Sequence, residues 1–77
     1  MKTEIFNKLS KKIGTRIRIL REFKNMSQQD LADLCNFDKG DMSKIESGKA
    51  NPTLKTFLII SQALEVNFPD LFQIEDI

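Results

Sequence analysis

Apolar residues in the first third of the chain recur at helical steps. Phe6, Leu9, Ile13, Ile17 and Leu20 follow one another at intervals of three or four within residues 3–24, forming one stripe of a long helix. Gly14 interrupts that helix at a propensity cost of about 1 kcal/mol, and either permits close packing or marks a bend. The stretch QQDLADLCNFDKGDMSKIE, Gln28 to Glu46, changes the rhythm. Its apolar positions Leu31, Cys35, Phe37, Met42 and Ile45, with the small Ala32 between the first two, fit neither one continuous helix nor a strand. They predict two short helices meeting at an angle.

Punctuation residues place the boundaries. Ser27 is a natural N-cap, and Asp30 three residues later makes an S-x-x-D capping box whose acid suits the positive helix end. Helix two is expected over about 28–35, stopped by Asn36, which tolerates a left-handed backbone. Asp38 is expected to cap helix three, about 39–47, with Gly48 ending it. Pro52 disfavours helix at Asn51, so Thr53 caps helix four, about 54–65, with Leu54, Phe57, Ser61 and Leu64 on one face. Asn67 opens a short last helix containing Leu71 and Phe72, with Pro69 tolerated in its first turn. The expectation is an all-α, compact five-helix domain.

Where two helices cross at roughly 90–120° after a turn of three or four residues, a helix-turn-helix results. One position at the crossing must be small, which Ala32 satisfies. Leu31, Cys35, Met42 and Ile45 then face inward and Phe37 plugs the corner. Lys39, Gly40, Asp41, Ser43 and Lys44 face outward, all short or polar, and a bare polar helix is what a DNA major groove can receive.

Composition narrows the chemistry. With 77 residues the chain is one small domain near the lower limit for folding without staples. A single cysteine excludes an internal disulfide, and the absence of histidine removes the common zinc and Ser-His-Asp arrangements. No nucleophile–base set or Gly-rich phosphate loop can be assembled, so neither an enzyme, a metal, a cofactor nor a small-molecule ligand is expected. No membrane span or signal-peptide core is evident, which points to a cytoplasmic protein. Net charge is only +1 but polarised. Residues 1–24 carry eight basic against two acidic side chains, and the remainder four lysines against nine acids. That asymmetry marks either a polyanion-binding face or a solvated mixed-charge surface.

Four successive blocks, IGTRIRILRE, SQQDLADLC, MSKIESGKANPTLKT and ISQALEV, resemble the lambda-repressor-like, Xre-type helix-turn-helix family. The resemblance covers about residues 13–72. It leaves 1–12 as an N-terminal extension of helix one and 73–77 as a C-terminal tail. It implies a dimeric, sequence-specific DNA-binding transcriptional regulator on a palindromic operator. By the same resemblance Lys39, Gly40 and Lys44 sit where base edges are read. Gln28, Ser27 and the backbone around Lys49 would hold phosphates, and Arg21 and Glu46 would pair to tie helix one to helix three. A carboxylate near the C-terminus of helix three opposes the helix dipole, so either a cation sits beside Glu46 or the glutamate is exposed at a small cost.

Several positions stay open. Asp41 either helps cap helix three or accepts a hydrogen bond from a cytosine amino group. Lys39 and Lys44 contact guanine or merely neutralise phosphate; Ser43 is a further base-reading candidate. Asn51, Lys55 and Arg16 are secondary phosphate candidates. Cys35 is expected to be a core residue rather than a redox sensor. A two-fold interface is expected on Leu58, Ile59, Phe68 and the tail around Ile74, because Ile59 lies about 200° around helix four from the core residue Phe57; Ile5 and Phe6 offer an alternative surface. The competing functions are an antitoxin or restriction-system controller of the same fold, or a protein-interaction module with little DNA affinity, favoured by Gly40, Asp41 and the small net charge.

Overall fold

The computed structural model describes residues 2–74. Residues 75–77, and with them Ile77 of the expected tail, lie outside the described residues. Four α-helices follow one another: α1, Lys2–Phe23; α2, Gln28–Cys35; α3, Lys39–Glu46; and α4, Leu54–Leu64. A 3-10 helix, Phe68–Phe72, follows. The last element is therefore not the fifth α-helix expected. Five residues with proline near the start provide too few α-type hydrogen bonds, and the tighter 3-10 turn suits so short a piece. No strand occurs among the described residues.

The capping box forms as the sequence requires. The Asp30 amide donates to Ser27 Oγ at 3.0 Å, and the Ser27 amide donates to Asp30 Oδ2 at 2.9 Å. These bonds, the backbone one first, hold the Asp30 carboxyl below its ordinary value. Thr53 Oγ1 accepts from the Thr56 amide at 3.2 Å. Asp38 occupies the N-cap position of α3, but its side chain makes no capping bond.

All four α-helices end in the same way. A left-handed residue follows each, at Asn25, Asn36, Gly48 and Glu65, with φ of 58°, 59°, 79° and 58°. Past each of these the chain folds back, so that the amides of Met26, Phe37, Lys49 and Val66 donate to the carbonyls of Arg21, Ala32, Lys44 and Ser61. This is the Schellman closure, which satisfies carbonyls the helix itself cannot.

The core is Ile13, Ile17, Leu31, Ala32, Cys35, Met42, Ile45, Ile60, Leu64 and Leu71. Of the other residues expected to face inward, Leu9, Leu20, Phe37 and Phe57 are half-buried and pack against this core, whereas Leu54 and Phe6 do not join it. Leu54 is 74% exposed and Phe6 43% exposed. The inward face of α4 runs through Phe57, Ile60, Ser61 and Leu64, and its packing partners are α2 and the 3-10 helix, leaving its first turn uncovered. Phe6 lines a small cavity with Ile45, Pro52 and Phe57 that its ring leaves partly open. At ~1.5 Å per residue, α1 is about 33 Å long against a longest molecular dimension of 35 Å.

Gly14 is a packing position, not a bend, for α1 runs through it unbroken. A Cβ there would lie 2.4 Å from the Glu46 carbonyl oxygen and 2.5 Å from that of Ile45. The C-terminal carbonyls of α3 thus rest on α1, where only hydrogen fits. Gly40, by contrast, has nothing within 4 Å of its missing Cβ. Gly14→Ala is expected to destabilise by about 1–3 kcal/mol through overpacking. Gly40→Ala should stabilise by up to about 1 kcal/mol through helix propensity. Chemical denaturation of both variants checks the pair, and equal midpoints would contradict the packing described.

Candidate nucleic-acid interface

The two short helices α2 and α3 are joined by Asn36, Phe37 and Asp38. Left-handed Asn36 reverses the chain, and Ala32, fully buried, receives the returning Phe37 amide on its carbonyl at 2.8 Å. Leu31, Cys35, Met42 and Ile45 are buried, whereas Lys39, Gly40, Asp41, Ser43 and Lys44 are all exposed. One side of α3 is therefore fixed in the core and the other is a short polar ridge open to solvent.

What orients that ridge is a buried polar network. Arg21 and Glu46 are each 7% exposed. Arg21 Nε donates to Glu46 Oε2 at 2.7 Å and Nη2 to Oε1 at 2.9 Å, a two-bond pairing of planar groups. Arg21 Nη1 donates to the Met26 carbonyl at 2.7 Å. Gln28 Nε2 donates to Glu46 Oε1 at 3.0 Å. The hydrogen bond to Glu46 raises the Arg21 pKa against the opposing effect of burial. No buried side-chain nitrogen or oxygen among the described residues lacks a partner. The bond from Arg21 to the Met26 carbonyl and that from Gln28 to Glu46 leave no trace in sequence pattern, since they depend on where the α1–α2 turn lies in space.

The remaining candidates divide. Ser27, Lys49, Asn51 and Lys55 are exposed. Asp41, Lys44 and Asn51 line one shallow groove of about 250 Å³ with Phe37, Ile45, Ala50, Pro52 and Thr56. Gln28 has committed one amide hydrogen to Glu46 and keeps a second for another acceptor. The backbone around Lys49 is less available than expected. The Lys49 amide is held by the Lys44 carbonyl at 2.8 Å and the Gly48 amide by that of Ile45 at 3.2 Å, so the closure of α3 consumes both donors. Arg16 also departs from expectation. Its Nε donates to the Asp70 carbonyl at 2.9 Å and Nη2 to Gln73 Oε1 at 3.5 Å, which ties α1 to the 3-10 helix. Of the proposed contact surface, Leu58 is exposed at 45%, while Ile59, Phe68 and Ile74 are half-buried. Phe68 packs edge-on against Phe72 at 5.1 Å between ring centres.

Cys35 is buried, and desolvation pushes its thiol up to about 11 from an ordinary value of 9.0. Alkylation at pH 8 is therefore expected to be slow in the native protein and prompt in denaturant; fast labelling of the folded chain would overturn the core assignment. Arg21→Ala strands a buried carboxylate and is expected to cost about 3–5 kcal/mol, whereas replacing the pair together, Arg21→Met with Glu46→Leu, should cost less. Thermal unfolding of the three proteins decides this, and a single variant melting like the parent would refute it.

Comparison with known proteins fits this geometry. A family model described as a helix-turn-helix domain matches residues 14–77. The crystal structure of the restriction-modification controller protein C.AhdI from Aeromonas hydrophila superposes with a TM-score of 0.79 at 35% identity, over 80% of this chain and 94% of that one. The control protein C.SmaI of Serratia marcescens is 29% identical over 59 residues, 77% of this chain and 70% of its own length. An HTH-type protein of Methanothermobacter thermautotrophicus is 32% identical over 66 residues; the match takes in 82% of this chain, which spans only 21% of that longer relative. Two short helices braced crosswise, an exposed polar second helix and a family match over most of the sequence converge: the chain belongs to the Xre-type helix-turn-helix family of transcriptional regulators.

Proposed function

We propose that the chain binds duplex DNA as a homodimer, with the outward face of α3 in the major groove of a palindromic site, and so regulates transcription without catalysing a reaction or carrying a cofactor. The observation that carries this reading is the contrast across α3. Met42 and Ile45 are buried and Glu46 is locked by Arg21, while Lys39, Gly40, Asp41, Ser43 and Lys44 all remain exposed. A side of a helix with no apolar residue, held rigidly outward, has the chemistry of a groove reader.

In this reading Lys39 and Lys44 reach guanine edges or the phosphates beside them, and Ser43 adds a short adaptable donor and acceptor. Asp41 accepts from a cytosine amino group. Gly40 lets the backbone approach the groove closely. Ser27 through its hydroxyl, Gln28 through its second amide hydrogen, and the side chains of Lys49, Asn51 and Lys55 hold the phosphodiesters on either side. The domain proper is 13–72, with 1–12 as a helical extension and 73–77 as a tail. Leu58, Ile59, Phe68 and Ile74 supply the two-fold contact that sets the two α3 helices about 34 Å apart. Such a regulator acts in the cytoplasm, where its DNA is. Within this class, control of restriction-modification genes is favoured by the likeness to C.AhdI, which this chain covers almost end to end.

Selection from a random duplex pool is expected to recover a two-fold symmetric sequence. No enrichment, together with no binding to random duplex at low salt, would leave a protein-interaction module instead. On the recovered sequence, Lys39→Ala and Lys44→Ala separate the two contact types. A lysine on phosphate weakens all duplexes alike and lowers the salt slope by about one, while a lysine on a base relaxes preference at one position. Sedimentation with and without the duplex tests assembly; a monomer at every concentration removes the homodimer.

A further inference from the structure

The family match begins at residue 14, yet α1 begins at Lys2. Three helical turns therefore precede the matched domain. They are not a free-standing arm. The loop after α3 lies directly on them, for a Cβ on Gly48 would come within 2.7 Å of the Lys11 Cα, backbone nitrogen and Cγ. Asn7 and Lys11 from this extension line the same concavity as Gly48, Lys49 and Asn51 from the loop. Lys49 and Asn51 are two of the side chains proposed above to hold phosphate. Lys8 lies one turn before Lys11, at the i and i+3 positions of one helix side, and both are exposed. Among the described residues, no carboxylate pairs with Lys11 or Lys49. Across residues 2–12 the chain has four lysines and a single acid, Glu4.

We infer that the N-terminal extension of α1 is a second DNA-backbone contact, in which Lys11, with Lys8 beyond it, carries the positive surface of Lys49 past the edge of the helix-turn-helix and onto the phosphates flanking the recognised site. The inference rests on the duplex-binding reading and adds to it a surface that the helix-turn-helix itself does not include. Rigidity matters here. A flexible basic arm loses conformational freedom on binding, whereas lysines on a formed helix packed against the loop are already in place. The contact carries no sequence information, because phosphate is the same at every base pair; its signature is electrostatic.

The test compares the parent, Lys11→Gln, Lys8→Gln with Lys11→Gln, and Lys24→Gln on the selected duplex, with salt varied. Glutamine keeps the aliphatic stem that packs beneath Gly48, and Lys24, at the far end of α1 beside Glu65, controls for net charge. The expected result is a salt slope lower by about one for the single variant and by about two for the double. Lys24→Gln should stay at the parent slope, base preference should be unchanged, and shortening the flanking duplex should weaken the parent more than the double variant. Equal slopes for the parent and the double variant, with unchanged thermal unfolding, overturn the inference and leave the duplex-binding reading intact. A parent that binds no duplex at any salt overturns both.

Discussion

Glu46 is a buried carboxylate at the C-terminal end of a short helix, where the helix dipole and desolvation both oppose its charge. The structure depends on how that charge is met. Arg21 reaches it from α1 with two parallel hydrogen bonds, Gln28 from the start of α2 with a third, and Arg21 also holds the Met26 carbonyl of the intervening turn. One carboxylate thus links α1, α2 and α3. Apolar contacts alone would hold these helices together but tolerate sliding, because the hydrophobic effect has no direction. A planar pairing of guanidinium and carboxylate fixes distance and angle together. A buried ion pair of this kind contributes more to the orientation of α3 than to net stability, since desolvation offsets much of the attraction.

Gly14 makes that pairing reachable. With no Cβ, α1 lets the last carbonyls of α3 approach to a distance no other residue permits. The same approach brings Arg21, two turns further along α1, to the Glu46 side chain. Close backbone contact and ion pair are therefore two parts of one joint. An eight-residue helix such as α3 has little stability of its own; it persists because this joint and the buried Met42 and Ile45 hold it. The ridge it presents is rigid for the same reason.

Polarity is divided along the molecule as well as along the sequence. The acids of the second half are partly consumed by structure: Asp30 closes the α2 cap, Asp70 accepts the Asn67 amide, and Glu46 is neutralised by Arg21. The lysines around the loop after α3 are not consumed in this way. A chain of net charge +1 can therefore still present a positive surface at one end.

Local chemistry was legible without coordinates. Ser27 with Asp30, Asn36, Gly48 and Thr53 act within a few residues of themselves, so sequence alone determined the α-helices, the turn between α2 and α3, and the polar side of α3. The Glu65 stop escaped that reading because glutamate in the left-handed region is unusual and is tolerated only when its neighbours dictate the turn. Phe6 and Leu54 continue apolar stripes but stay exposed, since periodicity gives a direction around a helix and says nothing of how far the opposing element extends. Arg16 on the Asp70 carbonyl, Gln28 on Glu46, the Lys49 amide on Lys44, the 3-10 geometry of the last element and the loop resting on Lys11 were decided by the tertiary structure. Each is a choice among several possible partners, and which partner a donor meets is set by distances between elements, a quantity that residue spacing does not encode.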